Sequence, residues 1–271
     1  LADAYNVLGY YNYLPPRDAY PKAKAAAMRA LAIDESLAQA NASLGYTRLF
    51  FDWDWAGAES AFLRAIELDP SYASAHQWYA WCLLVMRRMD EMIEAMRTAL
   101  QLDPLSLIIN AHMGYALFWA GRFDDALEQL ARTQALDPNF ALTYWPLGAI
   151  HVWQGRSEEA IAAFSRLVAL TDGAIGMGYL GITGGLGGHP EIARDVLHRL
   201  EFAAATRYVS PLDRAISHAG IGEVEETFHW LTQAVDDRVS DLVRLQVLPW
   251  PPEVRNDPRF AQVAARIGLT V

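Results

Sequence analysis

The chain has 271 residues, 53% of them hydrophobic and 20% charged, which suits a folded protein and is too apolar for a disordered one. Its formal net charge of −10 argues against nucleic acid or an anionic membrane surface as a direct partner, because both need a basic footprint. The single cysteine, Cys82, excludes an internal disulfide framework and a cysteine-based metal cluster, so packing alone must hold the fold.

Taken in chain order, the sequence reads as pairs of helices. The first pair is split by a long turn, Leu14-Pro15-Pro16-Arg17-Asp18. The phrase Leu68-Asp69-Pro70 then returns as Leu102-Asp103-Pro104 and Leu136-Asp137-Pro138, so the prolines stand 34 residues apart. Each Asp-Pro is expected to end a helix, since proline supplies no donor to continue one. Within the period, Leu44-Gly45 precedes Ala58 and Phe62; Met113-Gly114 precedes Ala126 and Leu130; Leu147-Gly148 precedes Ala160 and Phe164. Small residues at Gly9, Gly45, Ala80, Gly114, Gly148, Gly181 and Ala215 let the first helix of each pair approach the second, which predicts about seven hairpins.

The sixth first helix is loaded with glycine from Gly173 to Gly188, and each glycine costs roughly 0.8–1 kcal/mol against alanine, so a frayed or bent helix is expected there. After Asp236 the period fails. Leu248-Pro249-Trp250-Pro251-Pro252 cannot be helical throughout, and Asp257-Pro258-Arg259-Phe260 looks like an N-cap with proline in the first turn of a last helix ending near Ile267. The expected organisation is therefore a solenoid over 1–236, with a degenerate repeat near 173–206, and a capping segment over 237–271.

The 34-residue period and its pattern of large and small positions resemble the tetratricopeptide repeat, which implies an all-α solenoid of helix-turn-helix hairpins in a right-handed superhelix. The wording of Leu14-Pro15-Pro16, Asp52-Trp53-Asp54-Trp55-Ala56-Gly57-Ala58-Glu59, Asp103-Pro104-Leu105-Ser106, and Tyr208-Val209-Ser210-Pro211 through Asn256-Asp257-Pro258-Arg259-Phe260 carries a narrower resemblance. It is to the repeat region at the C-terminal end of multidomain bacterial signalling proteins, where it follows a winged-helix DNA-binding domain, a nucleotide cyclase or a protein kinase. That resemblance, with Leu1 in place of an initiator methionine, leads to the expectation that the chain is part of a longer protein. A cytoplasmic location is expected, or a periplasmic one if the parent carries a membrane span upstream.

The resemblance also implies that first helices line a concave face. Residues 71–86, 105–120, 139–154 and 173–190 contain no Asp, Glu, Lys or Arg. By helical spacing that face would show Asn6, Tyr10, Tyr13, Tyr46, Phe50, Gln77, Trp78, Trp81, His112, Tyr115, Trp119, Trp145, Trp153 and Tyr179, an uncharged aromatic groove. The same rings would equally serve as hairpin core. The family's carboxylate clamp uses lysine on these helices; none stands among the groove-facing positions here, so no clamp is carried over. An exposed aromatic set of this size implies a peptide or protein ligand, an effector domain of the same chain, or self-association as a homodimer. An apolar peptide, a proline-rich peptide and a sugar-like ligand suit it equally.

Other signals lead away from chemistry. Gly176-Met177-Gly178-Tyr179-Leu180-Gly181 fits a dinucleotide fingerprint by letter, but no strand precedes it. The seven histidines form no i, i+4 pair, which argues against zinc. No cofactor is expected, and no nucleophile elbow, phosphate loop or paired-carboxylate motif appears. The apolar run at 105–121 holds Ser106, Asn110 and His112 and is slightly under the length that spans a bilayer, so no membrane insertion is expected.

Overall fold

A computed structural model describes residues 1–269 of the chain, and among them the regular structure is helical, with no strand. Seven hairpins follow one another: α1 (Ala2–Tyr10) with α2 (Pro16–Ile33), α3 (Ala38–Thr47) with α4 (Trp55–Leu68), α5 (Ala73–Val85) with α6 (Met89–Leu102), α7 (Leu107–Trp119) with α8 (Phe123–Leu136), α9 (Tyr144–Trp153) with α10 (Ser157–Leu170), α11 (Met177–Leu186) with α12 (Pro190–Ala204), and α13 (Pro211–Gly220) with α14 (Val224–Asp236). A 3-10 stretch (Ser240–Val247), a single turn α15 (Pro252–Arg255) and α16 (Pro258–Arg266) complete the chain.

The Leu-Asp-Pro phrases do more than stop a helix. Each second helix ends on the leucine, and the aspartate then turns the chain. Asp69 accepts from the Ser71 N–H at 3.0 Å and the Ser71 hydroxyl at 2.7 Å, and Asp137 accepts from the Asn139 N–H at 2.8 Å. Asp34 does the same for Ser36 without a proline between them. Such turns satisfy backbone donors that the broken helix leaves behind.

The glycines that let helices approach are met by large residues rather than by the alanines opposite. A Cβ at Gly45 would lie 2.9 Å from the Phe62 ring, and one at Gly114 would lie 2.5 Å from Leu130. Ala58, Ala126 and Ala160 are fully buried beside them. The second hairpin departs from the others because α3 runs on into a π turn (Arg48–Asp52), after which Trp53 adopts a left-handed conformation at φ 57° and Asp54 caps α4 by accepting from Gly57 N–H at 3.0 Å.

The glycine-rich sixth hairpin corrects the expectation of a frayed helix. Gly173 and Gly176 lie in the preceding turn, with Gly176 at φ 92°, and α11 is an intact ten-residue helix. Its internal glycines are contact points: a Cβ at Gly178 would meet Ile216, and one at Gly185 would strike the Gly220 carbonyl of α13. The entropy lost to glycine is offset by the close approach of two backbones.

By its internal packing the chain divides into two compact units, residues 1–7 with 19–150 and residues 8–18 with 151–271. In the first, α3 to α8 pack in sequence. In the second, α10 to α14 pack in sequence and α14 is covered by α15 and α16. Arg259 joins α16 to α14, pairing with Glu225 at 2.9 Å and lying 4.3 Å over the Phe228 ring, while Asp257 caps the helix. Trp250 turns its indole N–H inward to the Leu245 carbonyl at 2.7 Å and packs on Phe260, which explains a tryptophan between prolines.

Candidate partner-binding surface

In the first unit the first helices are joined ring to ring. Tyr46 meets Phe50 at 4.5 Å and Trp78 at 5.0 Å. Trp81 sets its edge against His112 at 4.8 Å and Tyr115 at 5.7 Å, and Tyr115 stacks on Trp145 at 4.7 Å with the planes 7° apart. Trp119 closes the ladder against Trp145 at 5.8 Å.

This packing places most of the groove candidates inside. Tyr46, Phe50, Trp81, Tyr115 and Trp145 are buried, whereas Trp78 and Trp119 keep part of their surface open. The open aromatic patch expected from helical spacing is therefore much smaller. The reason is physical: helices whose facing residues are small approach closely enough for each large ring to be covered by the next helix. The Trp119 indole N–H has no acceptor within the protein.

The polar candidates are interior too, and each is spent on a neighbouring first helix. Asn6 donates to the Ser43 carbonyl at 2.9 Å and accepts from the Thr47 hydroxyl at 2.8 Å. Gln77 and His112 bond at 2.7 Å, which fixes the His112 ring between Trp81 and Tyr115. Buried and satisfied, these groups align adjacent hairpins. The sequence marked them as facing positions but could not say that the facing element was the next repeat.

In the second unit Tyr10 is half-buried beside Tyr11, and burial pushes its hydroxyl pKa up to about 12. Tyr179 is buried and stacks on Phe164 at 5.7 Å. Trp153 and Tyr13 are the open ones, 64% and 57% exposed. Nothing in the sequence pattern separated Trp153 from Trp145; the difference is that Trp153 ends α9, where no further turn covers it.

Cys82 is buried, and desolvation pushes its thiol up to about 12, far from a reactive thiolate. No group of His, Cys, Asp and Glu among the described residues is arranged to hold a metal ion, and no helix among them is long and apolar enough to cross a membrane.

Comparison with known proteins agrees with this architecture. No curated protein matches the sequence. Among solved structures, the chain is similar to one in the APC/C hetero-tetramer Cut9-Hcn1, with a TM-score of 0.62 and 18% identity over 92% of this chain and 46% of that one. It is also similar to PilW, a widely conserved type IV pilus biogenesis factor, with a TM-score of 0.54 and 18% identity over 94% of this chain and 97% of that one. A third likeness, to pilF of Pseudomonas aeruginosa, has a TM-score of 0.50 and 21% identity over 76% and 92% of the two chains. At these identities the likeness is one of fold. Residues 54–106 and 113–175 match the tetratricopeptide-repeat family, so the hairpins of those stretches are supported as tetratricopeptide repeats within an all-α chain of tandem helical hairpins.

Proposed function

We propose that the protein is a non-catalytic interaction module that docks a partner segment on the face of its first helices, and that in the first unit Trp78 and Trp119 are the contact points. One observation carries this reading: α5, α7 and α9 bear no charged residue, yet their rings form a packed ladder in which two tryptophans, Trp78 and Trp119, remain partly exposed. A charge-free, preordered aromatic edge suits an apolar or proline-rich peptide, since little side-chain entropy is lost on docking. The resemblance of the Asp52-Trp53-Asp54-Trp55 and Asn256-Asp257-Pro258-Arg259-Phe260 stretches supports a place in a larger bacterial signalling or transcription-regulatory protein of the cytoplasm. In that setting the partner is a protein, or an effector domain of the same chain.

The test is fluorescence titration with defined proline-rich, apolar and acidic peptides, scored on wild type and on Trp78→Ala/Trp119→Ala. Binding of an uncharged peptide that falls at least tenfold in the double variant, with its helical spectrum kept, supports the reading. Equal binding by both proteins, or a preference for the acidic peptide, overturns it. Light scattering on the same samples identifies the alternative in which these edges join two copies, because a dimer of wild type would become monomeric in the double variant.

A further inference from the structure

Apart from the ring ladder, the second unit holds a cavity of about 70 Å³ beneath the turn of the first hairpin. Its walls include Asn12, Tyr13, Arg207, Tyr208, Ser210 and Asp213. Tyr13, largely exposed, and Arg207 mark its mouth. Roughly 10–15 Å³ of such space admits one water, so the cavity has room for a guest of about four heavy atoms.

Two of the walls are unfinished. The Asn12 side-chain oxygen and the Tyr208 hydroxyl are buried and have no hydrogen-bond partner within the protein. Asp213 spends one oxygen on the Gly178 N–H at 3.2 Å. We propose that this cavity is a binding site for a primary ammonium group, held by the Asp213 carboxylate, the Asn12 oxygen and the Tyr208 hydroxyl.

The chemistry selects a cation. An ammonium group brings three donors and no acceptor, and these walls offer acceptors in matching number. The surroundings are acidic: Asp241 acts on Asp213, and Asp237 acts on Tyr208. The nearby cations are already engaged, Arg244 with Asp241 and Arg207 with the Asp172 carbonyl at 3.2 Å. Burial and Asp241 hold the Asp213 carboxyl up at about 7, while the Gly178 N–H pulls it the other way. Asn12 sits in the left-handed region at φ 59°, a conformation asparagine tolerates and one that departs from the helix ending at Tyr10.

The group could arrive on a free alkylamine or on the lysine side chain of a partner; both share the chemistry. The experiment is an NMR titration of the whole chain at pH 8 with n-propylammonium chloride, with Nα-acetyl-lysine amide, with sodium chloride at equal ionic strength and with n-propanol. Saturable shifts at Asn12, Tyr208 and Asp213 with an affinity on the order of millimolar are expected for a guest this small. Response to propylammonium alone assigns the site to free amines, and response to both amines assigns it to lysine side chains as well. Asp213→Asn should weaken the response at least tenfold, and Tyr208→Phe, which keeps the shape of the wall, severalfold. Equal response to n-propanol, no saturable response to either amine, or wild-type affinity in whichever of the two variants folds would overturn the proposal.

Discussion

The guanidinium of Arg17 donates to the main-chain carbonyl of Asp236, through Nε at 2.6 Å and also through Nη2, although the two residues are 219 positions apart. Asp236 is the last residue of α14, where carbonyls have no partner within the helix, so a cation placed there completes the helix and meets the negative end of its dipole. The carboxylate of Asp236 is taken by Arg266 of α16 at 2.6 Å. One residue thus receives both the tip of the first hairpin and the last helix.

Arg17→Ala should therefore loosen residues 8–18 from the rest of the second unit. The contact is exposed, so the loss of stability should be small, about 0.5–1.5 kcal/mol. Hydrogen exchange is the sensitive readout: the amides of Tyr13 and Leu14, which both bond the Leu8 carbonyl, should exchange faster while those of α12 do not change. Unchanged exchange at the tip would show that Arg17 does not hold it.

The ladder separates tryptophans that look alike in the sequence. Trp81 is buried between His112 and Tyr115, and Trp81→Ala should cost roughly 3–5 kcal/mol and lower the thermal midpoint sharply. Trp78→Ala, one helical turn earlier and half open, should cost clearly less. A calorimetric scan that ranked the two the other way would contradict this packing.

What the sequence made legible was the part set by short-range geometry. The spacing of Pro70, Pro104 and Pro138 yields the hairpin period, and the break after Asp236 and the start of the last helix at Pro258 both follow from local signals. Burial of the aromatic set was not legible, because helical periodicity says which way a ring points and not how near the next repeat comes. Gly178 and Gly185 read as helix weakeners until α13 was seen to lie against them. The placement of residues 8–18 with 151–271 had no local signal at all, since Arg17 differs in no way from an ordinary surface arginine.

The glycine positions give a test of close approach. A methyl at Gly114 would come within 2.5 Å of Leu130, a fully buried side chain, so Gly114→Ala should overpack the fourth hairpin and cost roughly 1–3 kcal/mol. Leu130→Ala alone should leave a cavity and cost roughly 2–5 kcal/mol. The double variant should be more stable than the sum of the two losses, because the added methyl occupies space that the leucine vacated. Strict additivity in denaturant unfolding would mean that the two residues do not face one another.

Asp213 sets a pH dependence of stability opposite to that of most carboxylates. Burial, reinforced by Asp241, raises its folded pKa to about 7, while the bond from the Gly178 N–H pulls the other way without prevailing. The groups acting on this region are Asp241, paired with Arg244, and the Tyr179 and Tyr208 hydroxyls, both pushed up by burial and neutral below pH 9. Between the ordinary aspartate value near 4 and the folded value near 7, the folded state holds a proton that the unfolded state has released, so stability falls as pH rises through that window. Asp213→Asn keeps the acceptor for Gly178 and removes the charge. It should leave stability at pH 4 nearly unchanged and raise it at pH 8 by roughly 2–4 kcal/mol, as read from denaturant midpoints at the two pH values. A variant less stable than wild type at pH 8 would show instead that the ionised carboxylate is stabilised where it sits.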